Sequence, residues 1–207
     1  MAYIDLATWK HREHFEHFAG FDRPFFGLCA EVDVTAAWAR AREATGPSFF
    51  VASLYAASRA ANLVEAMRIR VREGRPWIHD RVAVSTTVSR ADETFGYARI
   101  EPVESFDAFA AHAQQVIDAV AAGHGLSEPN VDDDVVYHST LPWLRFTAFS
   151  NAMAGRDSIP RVVFGKCVPA GGRMVMPVAL EVHHAVVQGR DAARFYEQLQ
   201  RELEPLV

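Results

Sequence analysis

Apolar residues recur along this chain at two different periods, and the switch between them marks out the elements. Residues 174–187 are dominated by Val, Leu, Met and Ala, with little to favour a helix, and read as a strand. Residues 25–34 read the same way. Helical spacing is clearest after Ser105. There Phe106, Phe109, Ala113, Val116 and Val120 fall at i, i+3, i+7, i+10 and i+14, and Gly123 stops the run. Ala192, Phe195, Tyr196 and Leu199 give a last helix its apolar face. Residues 48–63, rich in Ala with Phe49, Phe50, Leu54 and Tyr55, predict a buried helix. Shorter helices are predicted over 8–18, with Thr8 as N-cap, and from Thr35 to about residue 44, where Thr45-Gly46-Pro47 breaks the run. A hairpin is expected from 67–71 and 76–79 around Glu73-Gly74-Arg75. Further strands are expected over 82–88, 93–100, 135–139, 143–149 and 161–168. Residues 125–134 form an acidic loop containing Pro129, and Pro169-Ala170-Gly171-Gly172-Arg173 makes a tight turn. The order of elements gives one α+β domain over residues 1–207, a large mixed β-sheet packed by helices in two layers.

Composition narrows the function classes. At 207 residues, half of them hydrophobic and 23% charged, the chain suits one globular domain with a sizeable core. A net charge of -5 argues against nucleic acid as the main partner. No apolar run approaches the length of a membrane span, and the N-terminus lacks the basic and apolar regions of a signal peptide. A cytoplasmic protein is expected. Cys29 and Cys167 form no metal or redox pattern and read as free thiols in a reducing compartment. His11, His14 and His17 recur at spacing three and line one side of the first helix. No fourth ligand accompanies them, so they read as a polar stripe rather than a metal site.

The chemistry concentrates at His183-His184, two imidazoles at the end of a mostly apolar strand. Neighbouring side chains on a strand point to opposite faces, so the two do not share one metal. One faces the core or a neighbouring strand and the other a crevice. An imidazole there can act as a general base near neutral pH.

With these residues in place, the sequence resembles the chloramphenicol acetyltransferase family nearly end to end. The resemblance is carried by Trp9-x-x-Arg12-Glu13-His14-Phe15, Glu93-Thr94-Phe95, Ser139-x-Leu141-Pro142-Trp143, residues 160–166, and His183-His184-Ala185-Val186-x-x-Gly189. It implies a homotrimer with active sites between subunits. It also implies transfer of acetyl from acetyl-CoA, a co-substrate, to a hydroxyl of the antibiotic, with no metal. By the same resemblance His184 is the catalytic base and His183 its structural partner. Ser139 hydrogen-bonds the oxyanion of the tetrahedral intermediate. Phe18, Phe26, Phe95 and Trp143 fall among the acceptor-pocket and CoA-channel residues.

The sequence also departs from the family. Gln188 stands where the motif has an aspartate, and His11 stands where that aspartate's arginine partner belongs. Both halves of an ion pair have changed together, which avoids stranding one charge. A Gln188 to His11 hydrogen bond is expected in its place. Val163 replaces a threonine that holds a water near the reaction centre. Ser48 and Phe50 replace a lysine and a tyrosine near the CoA phosphates, and Phe18 replaces a tyrosine at the antibiotic. These changes leave open a different small hydroxyl acceptor, or a non-catalytic binding trimer.

Overall fold

Among the described residues, five helices and ten strands follow one another in an order that builds one large sheet and packs helices on one of its faces. The computed structural model describes residues 1–43, 46–126, 132–152 and 157–204. Strand β1 (Ala2–Tyr3) and helix α1 (Arg12–Ala19) open the chain, followed by strand β2 (Phe25–Asp33), helix α2 (Thr35–Arg40) and helix α3 (Phe49–Leu63). After one 3-10 turn come strands β3 (Ile69–Arg72), β4 (Arg75–Ile78), β5 (Ala83–Ser89) and β6 (Phe95–Ile100). Helix α4 (Phe106–Ala122) precedes strands β7 (Val135–Leu141), β8 (Arg161–Gly165), β9 (Val168–Ala170) and β10 (Arg173–His183), and helix α5 (Gly189–Leu203) follows. The main sheet runs β2-β10-β8-β7-β5-β6, with β9 paired to β10, and a small sheet runs β1-β4-β3. The pairs β8/β7 and β7/β5 are parallel and the others antiparallel, so the expected α+β fold with a mixed sheet is present.

The sheet buries one face. Met176, Val178, Leu180 and Val182 of β10 point at one side, where they join a core with Leu54 of α3 and Phe195 and Leu199 of α5. Helix α3 carries alanine at 52, 56, 57, 60 and 61, all buried. Small side chains let it lie close against both α4 and α5. On the opposite face Ser85, Arg161, Val163 and Ala179 are buried, while Cys29, Glu31, Tyr137, Ser139 and Glu181 are half-buried or exposed. Among the described residues no helix is long and apolar enough to cross a membrane.

Several sequence expectations shift. Thr8 does not cap α1. The Asp5 carboxylate accepts from the Ala7 N–H (3.0 Å) and the Thr8 hydroxyl (3.2 Å), forming a local turn, and the helix starts at Arg12. Ser48 and Ser105 do cap their helices, accepting from the N–H of Val51 and Ala108. The β3–β4 hairpin turns through Glu73 (φ 51°) and Gly74 (φ 70°), the left-handed pair that a two-residue hairpin turn demands. The strand expected over 143–149 does not form. Pro142 removes a ladder donor, and the segment crosses Gly165 so closely that a Cβ there would lie 2.8 Å from the Phe146 ring. The helix expected to residue 44 ends at Arg40, while residue 44 itself, residue 45 of the breaker and 127–131 of the acidic loop, Pro129 included, lie outside the described residues.

Candidate active site

His184 follows the last residue of β10, where the chain leaves the sheet. Its N–H donates to the Pro24 carbonyl (2.7 Å), and its own carbonyl accepts from the Gln188 side-chain amide (3.2 Å). The backbone of this residue is therefore tied from both sides. The ring is held by aromatics. Phe18 of α1 stacks on it with centroids 3.9 Å apart and planes 10° from parallel. Phe26 of β2 leans on it at 4.5 Å and 50°. Nδ1 is buried and has no hydrogen-bond partner among the described residues. Orientation thus comes from ring packing, where a histidine base more often has a hydrogen bond at its second nitrogen.

His183 faces the other way, as strand alternation requires. It pairs with Phe25 across β2 and meets that ring edge-on at 5.3 Å. Its Nδ1 accepts from the Ala185 N–H (3.3 Å). Burial pushes its pKa down to about 4, with the nearby Asp157 carboxylate pulling only partly back. His183 is neutral at pH 7 and braces the turn that presents His184.

The expected link between Gln188 and His11 is absent among the described residues. Helix α5 begins next to Gln188, and the Asp191 carboxylate accepts from the Gln188 N–H (3.1 Å). The Gln188 side chain turns back to the His184 carbonyl instead. His11 is the N-cap residue of α1 and packs against Trp9 and His14, with ring centroids 5.6 Å and 6.2 Å away. With no charge at 188 there is nothing to draw a cation toward it, and the nearest fixed acceptor takes the amide.

Ser139 lies on β7 and projects from the face that no helix covers. It lines a cavity of about 440 Å³ with Ser85, Thr87, Tyr97, Tyr137 and Asn151. Asp157 and Arg161 close one side as an ion pair of 2.7 Å. The Arg161 guanidinium lies over the rings of Phe25 (5.1 Å) and Tyr137 (5.6 Å). Sequence reasoning missed this ring of polar groups. Tyr137 is two residues before Ser139 on one strand, and that period-2 relation is the signal that finds it.

One chain does not bring Ser139 and His184 together. Sheet register sets Ser139 level with Val163, and Val163 level with Ala179. His184 is therefore five residues further along β10 and two strands across. At about 3.3 Å per strand residue and about 4.8 Å per strand, the two sit roughly 19 Å apart.

The four aromatics separate. Phe18 and Phe26 belong to His184. Trp143, 70% exposed, stands at the rim of a second cavity, of about 490 Å³, at the C-terminal ends of the parallel strands β5, β7 and β8. That cavity is mostly apolar, walled by Trp38, Phe49, Phe50 and Phe164, with Lys166 as the one charged residue among the described residues that line it. The Thr140 hydroxyl is buried there without a hydrogen-bond partner among the described residues. Phe95 lines neither cavity and packs on Tyr97 at 5.6 Å. Ser48 caps α3. Among the described residues no group of His, Cys, Asp or Glu is arranged to hold a metal ion.

Comparison with known proteins fits this geometry. The family model for chloramphenicol acetyltransferase matches residues 1–200. Chloramphenicol acetyltransferase 2 of Escherichia coli is 31% identical over 201 residues, covering 95% of this chain and 94% of the relative. The chloramphenicol acetyltransferase of Campylobacter coli is 28% identical over 202 residues, covering 95% of each. A solved chloramphenicol acetyltransferase superposes with a TM-score of 0.89 at 29% identity, over 98% of this chain and 100% of that one. The dihydrolipoamide acetyltransferase of Azotobacter vinelandii shares the fold at a TM-score of 0.68 and 17% identity, over 91% of this chain and 84% of that one. The chain, with a histidine presented at the end of β10 and a serine on the open face of β7, belongs to the chloramphenicol acetyltransferase family and is an acyltransferase.

Proposed function

We propose that this protein, acting as one domain over residues 1–207, is a cytoplasmic acetyl-CoA-dependent O-acetyltransferase with chloramphenicol as its first acceptor. The observation that carries the reading is the clamped His184, held by Phe18 and Phe26 inside a chain matched by the family model almost throughout. His184 takes the proton of the acceptor hydroxyl as that oxygen attacks the thioester carbonyl. The oxygen of the tetrahedral intermediate accepts a hydrogen bond from the Ser139 hydroxyl, a donor placed where negative charge grows. Collapse breaks the carbon–sulfur bond, the thiolate recovers the proton from His184, and an acetyl ester and free CoA leave.

The separation of Ser139 and His184 in one chain supports a site shared between copies, in the homotrimer that the family resemblance implies. A heterologous ring closes such contacts without an open end. The long apolar cavity beside Trp143 and Lys166 suits the pantetheine arm of CoA, with Lys166 at the phosphates. In the Azotobacter vinelandii acetyltransferase a serine, a histidine and an asparagine four residues after it were investigated for catalytic roles. Gln188, also an amide, stands four residues after His184.

The test is thiol release with acetyl-CoA and chloramphenicol, comparing the wild type with His184→Ala. Turnover lost in the variant supports both the reaction and the base. Equal turnover in the two proteins refutes His184 as the base. No turnover by folded wild type refutes chloramphenicol as the acceptor.

A further inference from the structure

Ser139 has a neighbour on each side in the sheet. On β8 the register sets Val163 level with it, a buried side chain without a polar atom. On β5 the parallel register pairs Ser85 with Tyr137 and Thr86 with His138. One residue further along both strands, Thr87 is level with Ser139. Strand alternation turns both side chains to the open face, and both line the cavity of about 440 Å³.

Two hydroxyls therefore stand side by side on strands about 4.8 Å apart. Both residues are half-buried, and neither hydroxyl has a hydrogen-bond partner among the described residues. Each keeps its one O–H for water or for a bound molecule. Branching at Cβ restricts χ1 of Thr87, so its hydroxyl samples few directions.

The position of Thr87 narrows what that molecule is. Thr87 is the one described residue that lines both cavities, the polar one around Ser139 and the apolar one beside Trp143 and Lys166. A CoA arm lying in the apolar cavity brings its thioester to this junction, where the carbonyl oxygen meets Ser139 and Thr87 together. As charge grows on that oxygen it can accept a second hydrogen bond, and on the β8 side Val163 has none to give.

We infer that Thr87 is a further catalytic residue, whose hydroxyl donates to the oxyanion beside that of Ser139. This rests on the acetyltransferase reading above. The acceptor oxygen bonds to the carbonyl carbon as His184 takes its proton, and the carbonyl electron pair moves onto the oxygen held by the two hydroxyls. Return of that pair breaks the carbon–sulfur bond, and the sulfur recovers the proton from His184. Neither hydroxyl changes protonation, and both come from the copy that supplies Ser139.

The experiment compares wild type with Thr87→Val, Thr87→Ser, Ser139→Ala and the double variant Thr87→Val/Ser139→Ala. Thr87→Ala replaces Thr87→Val throughout if the valine variant does not fold. Thiol release from acetyl-CoA is followed with chloramphenicol and, without an acceptor, as slow hydrolysis by water. The expected result for Thr87→Val is a fall in kcat of roughly 10²–10³ with both KM values little changed, the mark of a contact made only in the transition state. Thr87→Ser should keep most of the activity. Thr87→Val should still cost roughly ten-fold or more in the Ser139→Ala background. An unchanged kcat in Thr87→Val overturns the inference and leaves the acetyltransferase reading standing. A raised acceptor KM at constant kcat also overturns it, because Thr87 then binds the acceptor. So does the absence of any further loss in the Ser139→Ala background, which makes Thr87 a group that only orients Ser139. Wild type that hydrolyses acetyl-CoA but leaves chloramphenicol untouched refutes that acceptor, and the same comparisons then decide the inference on hydrolysis. Wild type that does neither overturns the acetyltransferase reading and the inference with it.

Discussion

If the active site is shared, two dead proteins should make a live one. The register of β7, β8 and β10 leaves Ser139 and His184 roughly 19 Å apart in one chain, at about 3.3 Å per residue along a strand. A hydroxyl and an imidazole acting on the same carbonyl must lie within a few ångströms of each other. Ser139→Ala retains His184, and His184→Ala retains Ser139. In a ring, each site takes its histidine from one copy and its serine from the next. Random mixing of the two variants in equal amounts restores both groups at about one site in four, so about a quarter of wild-type activity returns. Each variant alone should fall by roughly 10²–10³, the cost of losing one donor or the base. The assay is thiol release from the two variants co-expressed at varied ratios and purified together without selecting for mixed oligomers, compared with each variant alone. Activity should follow the product of the two fractions and peak at equal amounts. No recovery in mixed oligomers would refute the shared site and the mechanism that needs it.

Three further outcomes follow from particular contacts. Phe18→Leu removes the ring stacked on His184, an aromatic contact worth about 0.5–1.5 kcal/mol, so kcat should fall roughly two- to ten-fold with KM for acetyl-CoA unchanged; a raised acceptor KM at constant kcat would instead make Phe18 an acceptor contact. Arg70 is fully buried and donates to the carbonyls of Met67, Ile69, Asp133 and Val135, and burial lowers its pKa to about 10 without neutralising it. Arg70→Met leaves those carbonyls unpaired at the root of the strand that carries Ser139 and should lower stability by about 3–5 kcal/mol in urea unfolding; a loss below about 1 kcal/mol would mean that water or neighbouring groups satisfy them. Burial pushes the Asp133 carboxyl up, yet the hydrogen bonds from His79 (2.8 Å) and Arg72 outweigh it and hold it well below the usual carboxylate range. Because the folded pKa is depressed, its stabilisation is complete above the unfolded value near 4 and is lost as pH falls below it. Asp133→Asn should flatten the acid limb of a melting-temperature profile, and an unchanged limb would place the acid sensitivity elsewhere.

Much of this protein is legible in its residue order. The α4 spacing from Phe106 to Val120, the caps at Ser48 and Ser105, and the Glu73-Gly74 turn are local signals, set by backbone sterics and by which side chains can reach a neighbouring N–H. The opposite facing of His183 and His184 follows from the period of a strand alone. Other features depend on competition between neighbouring groups or on what packs from far along the chain. The start of α1 moves because Asp5 competes for Thr8, and 143–149 loses its strand where Phe146 meets Gly165. The Gln188 amide turns to the His184 carbonyl because α5 starts where Asp191 captures the adjacent N–H, a competition among nearby acceptors that spacing does not rank. The polar ring around Ser139 is assembled from β5, β6, β7, β8 and the segment before β8, residues as far apart as Ser85 and Arg161. Sequence periodicity assigns each of them a face. Only the pairing of parallel strands, a long-range choice settled by burial of the opposite face against α3, α4 and α5, puts them around one cavity and leaves His184 a strand's length away.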